Sequence, residues 1–112
     1  MSNQLKEILD QYAAEINGLY GAYLKAVILY GSYARGDYRE DSDIDIMILV
    51  DLPEEEIRKS WEKLLNRTYD FNELYDLKIM PVLVASKQFA YWLPVYPFYQ
   101  NVRNEGVSIY AA

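Results

Sequence analysis

Apolar residues recur at three- and four-residue steps along the first part of the chain: Leu5, Ile8, Leu9, Tyr12, Ile16 and Leu19. That period predicts an amphipathic helix over residues 4–20. Gly18 and Gly21 fall near its end, where a C-cap is expected. The pattern then changes to short apolar runs. Ala26 to Tyr30 predicts a first strand at 26–30, and the run ending at Val50 a second at 43–50. The residues between them leave room only for a short helical piece around Ser32 to Arg35. A parallel crossover needs more, so the two strands should be antiparallel. Pro53 marks the first turn of another helix, with Glu54, Glu55 and Glu56 at its positive end. Ile57, Trp61, Leu64 and Leu65 give it a buried stripe to about residue 67. Thr68 to Tyr75 reads as a polar and aromatic loop. Asp76 to Val84 reads as a third strand, in which Pro81 indicates an edge position or a bulge. A strand–helix–strand unit of this length predicts parallel pairing of the second and third strands. Ser86 is expected to cap a helix through Phe89 and Trp92, broken by Pro94 and Pro97. A last helix runs from about Phe98 to Glu105 and stops at Gly106.

This order predicts one α/β (α+β) domain over 1–112, with a small mixed sheet of three or four strands flanked by helices. It also brings chemistry together. Gly31-Ser32 directly follows the first strand, and Asp43-Ile44-Asp45 opens the second. A Gly-Ser turn at a strand end suits phosphate oxygens, because glycine admits close approach and amides plus a hydroxyl donate. Two aspartates two apart on a strand share a face, roughly 7 Å apart, and both reach a hard cation between them. With antiparallel and then parallel pairing, Gly31-Ser32, Asp43, Asp45 and Asp76 should meet at one end of the sheet. The combination reads as a site for a metal-bound nucleoside triphosphate.

Composition narrows the chemistry further. The chain has neither cysteine nor histidine. That removes thiolate and imidazole metal sites and every Ser-His or Cys-His nucleophile, and leaves oxygen ligands, hence magnesium or manganese. A formal charge of −6 argues against an extended nucleic-acid surface. No apolar run approaches spanning length and the first residues do not read as a signal peptide, so no membrane role and a cytoplasmic location are expected.

Other readings compete at several positions. Asp41, Asp43 and Asp45 imitate the start of a calcium loop, but that loop needs Gly and Glu where Ile46 and Leu52 stand. Asp51 lies roughly 20 Å along the strand from Asp45, too far to share a metal with it, so Asp76 is the preferred third carboxylate. Arg35 either reaches phosphate or braces the acidic loop. Tyr91, Trp92, Tyr96, Phe98 and Tyr99 form either a folded-back cluster over the sheet or a partner-binding face.

The string GSYARGDYREDSDIDIMILV resembles the signature of the DNA polymerase β-like nucleotidyltransferase superfamily, and most of all its minimal members, the MNT-domain proteins often encoded beside a HEPN-domain toxin. DLKIMPVLVASKQF and PFYQNVRNEGVSIY resemble that family's C-terminal third. The resemblance implies the polymerase β-like nucleotidyltransferase fold. It implies that Gly31 and Ser32 bind the triphosphate of ATP and that Asp43 and Asp45 hold two magnesium ions, with Arg35 and Ser42 as further candidate nucleotide-binding residues. Asp76 would be the third carboxylate, bridging a metal or helping to deprotonate the acceptor. The implied reaction is in-line attack of a hydroxyl on the α-phosphorus, with pyrophosphate leaving. The acceptor it points to is a tyrosine of a partner HEPN toxin, which makes the chain an antitoxin. The alternatives are a non-catalytic antitoxin that acts by binding alone, and transfer to a small hydroxylated molecule in a pocket completed by a homo-oligomer.

Overall fold

A computed structural model describes residues 1–112. The first helix, α1 (Asn3–Tyr20), begins where Ser2 Oγ accepts from the Leu5 amide at 3.1 Å and ends at Gly21, φ 55°. Strand β1 (Leu24–Tyr30), a one-turn helix α2 (Ser32–Arg35) and strand β2 (Ile44–Val50) follow. Next come α3 (Glu54–Tyr75), β3 (Ile79–Ala85), α4 (Ser86–Trp92), α5 (Pro97–Glu105) and β4 (Val107–Ala111). The sheet order is β3-β2-β1-β4, with β1 antiparallel to β2 and to β4, and β2 parallel to β3.

The sheet separates two cores. Ile44, Ile46, Ile48 and Val50 of β2 join Leu9, Tyr12 and Ile16 of α1 and Ile57, Leu64 and Phe71 of α3. Met47 and Leu49 face the other way, toward Val84, Tyr99 and Val102 under α4 and α5. β2 is therefore apolar at nearly every position, as expected for a strand covered on both faces.

Two expectations need correction. No loop spans 68–75: α3 runs on to Tyr75, because Thr68 and Phe71 continue the buried stripe of Ile57 and Leu64 at helical spacing. Its second half is fastened to α1 by Tyr12 Oη and Thr68 Oγ1 at 2.7 Å, by Arg67 to Glu15 at 2.8 Å, and by the Tyr75 hydroxyl donating to Gln11 at 2.6 Å. The third strand consequently starts at Ile79, and Asp76 is the C-cap of α3, held at φ 53°, ψ 53°. A fourth strand, β4, follows Gly106. The hydrophobic pattern does not announce it, since its residues are mostly exposed and show no clean alternation.

β3 lies at a sheet edge, as Pro81 indicates. The Lys78 carbonyl accepts from the Ile44 amide, so Ile79 and Pro81 turn their backbone groups outward. Asn72 closes both groups of Ile79, accepting from its N–H at 2.9 Å and donating to its carbonyl at 3.1 Å. Pro81 has no N–H to offer.

The buried face of the second half of α3 is open to test. Phe71→Ala should cost about 3–5 kcal/mol of unfolding free energy, while Leu74→Ala, three residues on and 73% exposed, should stay within about 0.5 kcal/mol. Denaturant titration of the two variants measures this, and equal costs would place the stripe on the wrong face.

Candidate active site

β1 and β2 pair so that Tyr30, the last residue of one, stands opposite Asp45, the second residue of the other. The chain leaves Tyr30 through Gly31 at φ 74°, ψ −154°, a region in effect reserved for glycine. A Cβ on Gly31 would overlap the Asp45 carboxylate oxygen Oδ2. The bare Cα thus makes room for the acid, and the turn and the carboxylate occupy one spot. Ser32 opens α2, half-buried, and Gly36 in the left-handed region ends the turn of helix with its N–H on the Ser32 carbonyl at 2.9 Å.

Asp43 precedes β2 by one residue and is exposed, whereas Asp45 is half-buried. Alternation puts both on the α5 side of the sheet. Burial raises the Asp45 carboxyl above its usual range, the neighbouring Asp43 raises it further, and Arg35 opposes them. Burial, together with the Asp45 charge, pushes the Tyr30 phenol up to about 12.

The remaining expected residues fall differently. Arg35 is braced: its Nε donates to Asp37 and its Nη1 to Glu105, each at 3.3 Å, which keeps the guanidinium charged and ties α2 to the end of α5. Ser42 shapes the approach to Asp43, its Oγ accepting from the Arg39 amide at 2.8 Å. Asp76 does not join the pair. It is exposed at the cap of α3, and no three acidic side chains stand together as a metal site. The position on β3 that pairs with Asp45 is Met80. Asp51 follows β2 at its opposite end.

Two groups near the site are missed by sequence reasoning. Tyr30 carries a signal, since strand alternation across an antiparallel pair puts it on the face of Asp45. Glu105 carries none, being distant from Arg35 along the chain. Between α5 and the Gly31 turn lies a cavity of about 230 Å3, bordered by Tyr30, Gly31, Arg35, Phe98 and Glu105.

The donor set suits magnesium. Asp43 and Asp45 offer only oxygen, they repel one another, and a divalent cation between them would relieve both the repulsion and the burial of Asp45. Magnesium is ordinarily held by one or two carboxylates together with substrate phosphates, so a pair is enough.

The sequence profile of the nucleotidyltransferase domain matches residues 5–97. The chain belongs to that family. A Methanocaldococcus jannaschii protein, named as a candidate protein adenylyltransferase, is 36% identical over 106 residues, which cover 95% of this chain and 99% of that protein. Two solved structures share the nucleotidyltransferase fold. One is a toxin–antitoxin complex with AMP-PNP (TM-score 0.57, 20% identity, 92% of this chain and 73% of that chain). The other is a complex of the tri-AMPylated Shewanella oneidensis HEPN toxin with its MNT antitoxin (TM-score 0.51, 17% identity, 96% of this chain and 73% of that chain). At these identities the likeness is one of fold. In this nucleotidyltransferase the Gly-Ser turn and the Asp43 and Asp45 pair meet at the ends of neighbouring inner strands, and Asp76 is not grouped with that pair.

Two variants probe this geometry. Gly31→Ala should lose about 1–3 kcal/mol of stability from the backbone conformation alone, and displace Asp45 as well. Asp45→Asn should act oppositely in the absence of divalent cations. The folded state disfavours the Asp45 anion, so that penalty is absent below the ordinary carboxylate range and fully present above the raised value. The Asp45→Asn variant should therefore be the more stable at neutral pH, with the advantage vanishing toward low pH. Melting curves across pH check both, and an Asp45→Asn protein less stable than the parent at about pH 7 would contradict the electrostatics.

Proposed function

We propose that this nucleotidyltransferase is an antitoxin that transfers AMP from ATP, with magnesium, to a tyrosine hydroxyl of a HEPN-domain partner. The observation that carries the reading is the contact of Gly31 with Asp45. It makes a phosphate-binding turn and a cation-binding pair into one site, which is what a metal-bound triphosphate requires. The kinship with a protein named as a candidate protein adenylyltransferase and the fold shared with an antitoxin bound to an AMPylated HEPN toxin support the choice of acceptor.

In this reading the amide groups of the Gly31-Ser32 turn and the Ser32 hydroxyl hold the triphosphate. Asp43 and Asp45 would hold magnesium, which would supply neutralisation of the charge that develops during transfer. Arg35, fixed by Asp37 and Glu105, presents its positive charge beside the turn. The acceptor oxygen bonds to the α-phosphorus from the side opposite the β-phosphate, the α–β phosphoanhydride bond breaks, and pyrophosphate leaves. The acceptor proton passes to solvent. No histidine or covalent intermediate is needed, in keeping with the composition. Asp76 has no part in this scheme.

Incubated with magnesium, ATP and its partner, the chain should place label from the α-phosphate on that partner and none from the γ-phosphate. Asp43→Asn and Asp45→Asn should lower transfer by roughly a hundredfold or more, consistent with the several kcal/mol a bound metal contributes, whereas Asp76→Asn should stay close to the parent. Intact mass of the partner reads the outcome. Full protection by an Asp43→Asn, Asp45→Asn double variant, with no mass change on the partner, would make the chain a binding-only antitoxin.

A further inference from the structure

The outer margin of β3 is closed at Ile79, where Asn72 takes both backbone groups, and it has no donor at Pro81. Leu83 comes two residues later. The Ile44 amide donates to the Lys78 carbonyl, and the parallel register sets Leu83 opposite Ile48. Met80, Val82 and Val84 therefore bond to β2, while Leu83 turns its N–H and C=O away from the sheet. No strand lies beyond β3. The Pro81 carbonyl and both Leu83 groups are thus three backbone partners in a row, open to one side.

Beside them runs a groove of about 610 Å3, lined by Ile57, Arg58 and Trp61 of α3 and by Pro81, Val82 and Leu83. That volume is ordinary for a ligand cleft. Trp61 leaves 36% of its surface to solvent there, and Arg58 is the one charged residue of the lining. Lys59 takes Glu55 and Glu56 at 3.5 and 3.7 Å, whereas Arg58 makes no ion pair, although Glu54 and Glu62 stand four residues to either side of it. An unpaired guanidinium on an apolar groove complements a carboxylate presented beside apolar surface. The open backbone groups specify the shape of the ligand. An extended chain pairs with them and drops every second side chain into the groove, whereas a helix or a compact anion would leave them unmet. The groove lies on the α3 face of the sheet, where Leu83 packs with Ile57, while Asp43 and Asp45 are on the α5 side. Leu83 is also roughly 10 Å along β3 from Met80, the residue opposite Asp45.

We propose that the Leu83 end of the β3 edge, with the α3 groove, binds an extended segment of a partner protein that carries an acidic side chain two positions from an apolar one. The segment adds a strand outside β3. One of its carbonyls accepts from the Leu83 N–H, and its amides donate to the Pro81 and Leu83 carbonyls. Its carboxylate pairs with Arg58, and its apolar side chain packs on Ile57 and Trp61. Docking here uses no residue of the transfer site and is independent of AMP transfer.

Fluorescence anisotropy of the full chain with a capped, labelled peptide, Thr-Val-Thr-Glu-Thr-Val-Thr, tests this, since its Val and Glu side chains share one face when extended. The parent should bind it with a Kd below about 1 mM. Replacing the peptide's Glu by Gln should weaken binding about fivefold, the scale of an exposed ion pair. Arg58→Gln should weaken the Glu peptide to the same extent and leave the Gln peptide unaffected. Arg58 is exposed, so that variant should keep the parent's melting temperature. Trp61→Ala should weaken both peptides by about tenfold. Hydrogen exchange followed by NMR should show the Leu83 amide slowed when the Glu peptide is bound. A parent that does not bind, or that binds the two peptides equally, overturns the proposal. So does an Arg58→Gln protein that binds the Glu peptide like the parent, or a Leu83 amide whose exchange the bound peptide leaves unchanged. A parent that sediments as a dimer and becomes a monomer on Trp61→Ala overturns it as well, since the groove would then belong to a second copy of the chain.

Discussion

The antiparallel register that sets Tyr30 against Asp45 governs everything at the site. It brings the end of β1 beside the start of β2, so the turn after one strand touches the acid that opens the other. The register is held by burial on both sides of β2. Ile44, Ile46 and Ile48 fill the core under α1 and α3, while Met47 and Leu49 fill the one under α5. A slip of one residue would exchange the two sets and drive Asp45 into the larger apolar core. The fold therefore fixes the carboxylate through hydrophobic packing along a whole strand, and no single hydrogen bond is responsible.

That packing leaves the site electrostatically unsatisfied. Asp45 is half-buried beside Asp43, and the same burial keeps the Tyr30 hydroxyl protonated far above neutral pH. Arg35 relieves Asp45 only in part, because Asp37 and Glu105 already hold its guanidinium. A cation bound between Asp43 and Asp45 would remove a repulsion that folding creates, so its binding would add to the stability of the folded state.

Much of this is legible in the sequence where local pattern and burial agree. The helical period from Leu5 to Leu19 and the apolar run before Val50 lead directly to α1 and β2, and the Gly-Ser turn and Asp45, each read at a strand end, are brought into contact. The failures share a cause. Thr68 to Tyr75 looks polar in sequence, yet Thr68 is buried because Tyr12, far off in the chain, satisfies its hydroxyl. Without those last turns of α3, Asp76 reads as a strand start when it is a helix cap. The brace from Glu105 to Arg35 and the exposed strand β4 depend on contacts between distant parts of the chain, which no local window contains.

The treatment of the β3 edge has a consequence for the chain in crowded solution. A free strand edge is a template on which a second sheet can grow into a fibril. Here Asn72 stands in for the missing neighbouring strand at Ile79, and Pro81 withholds the next donor along the same margin. A foreign strand arriving there would have to displace a side-chain amide and then tolerate a missing hydrogen bond. Pairing of a foreign strand with the first residues of β3, beside the strand that carries Asp45, is thereby disfavoured.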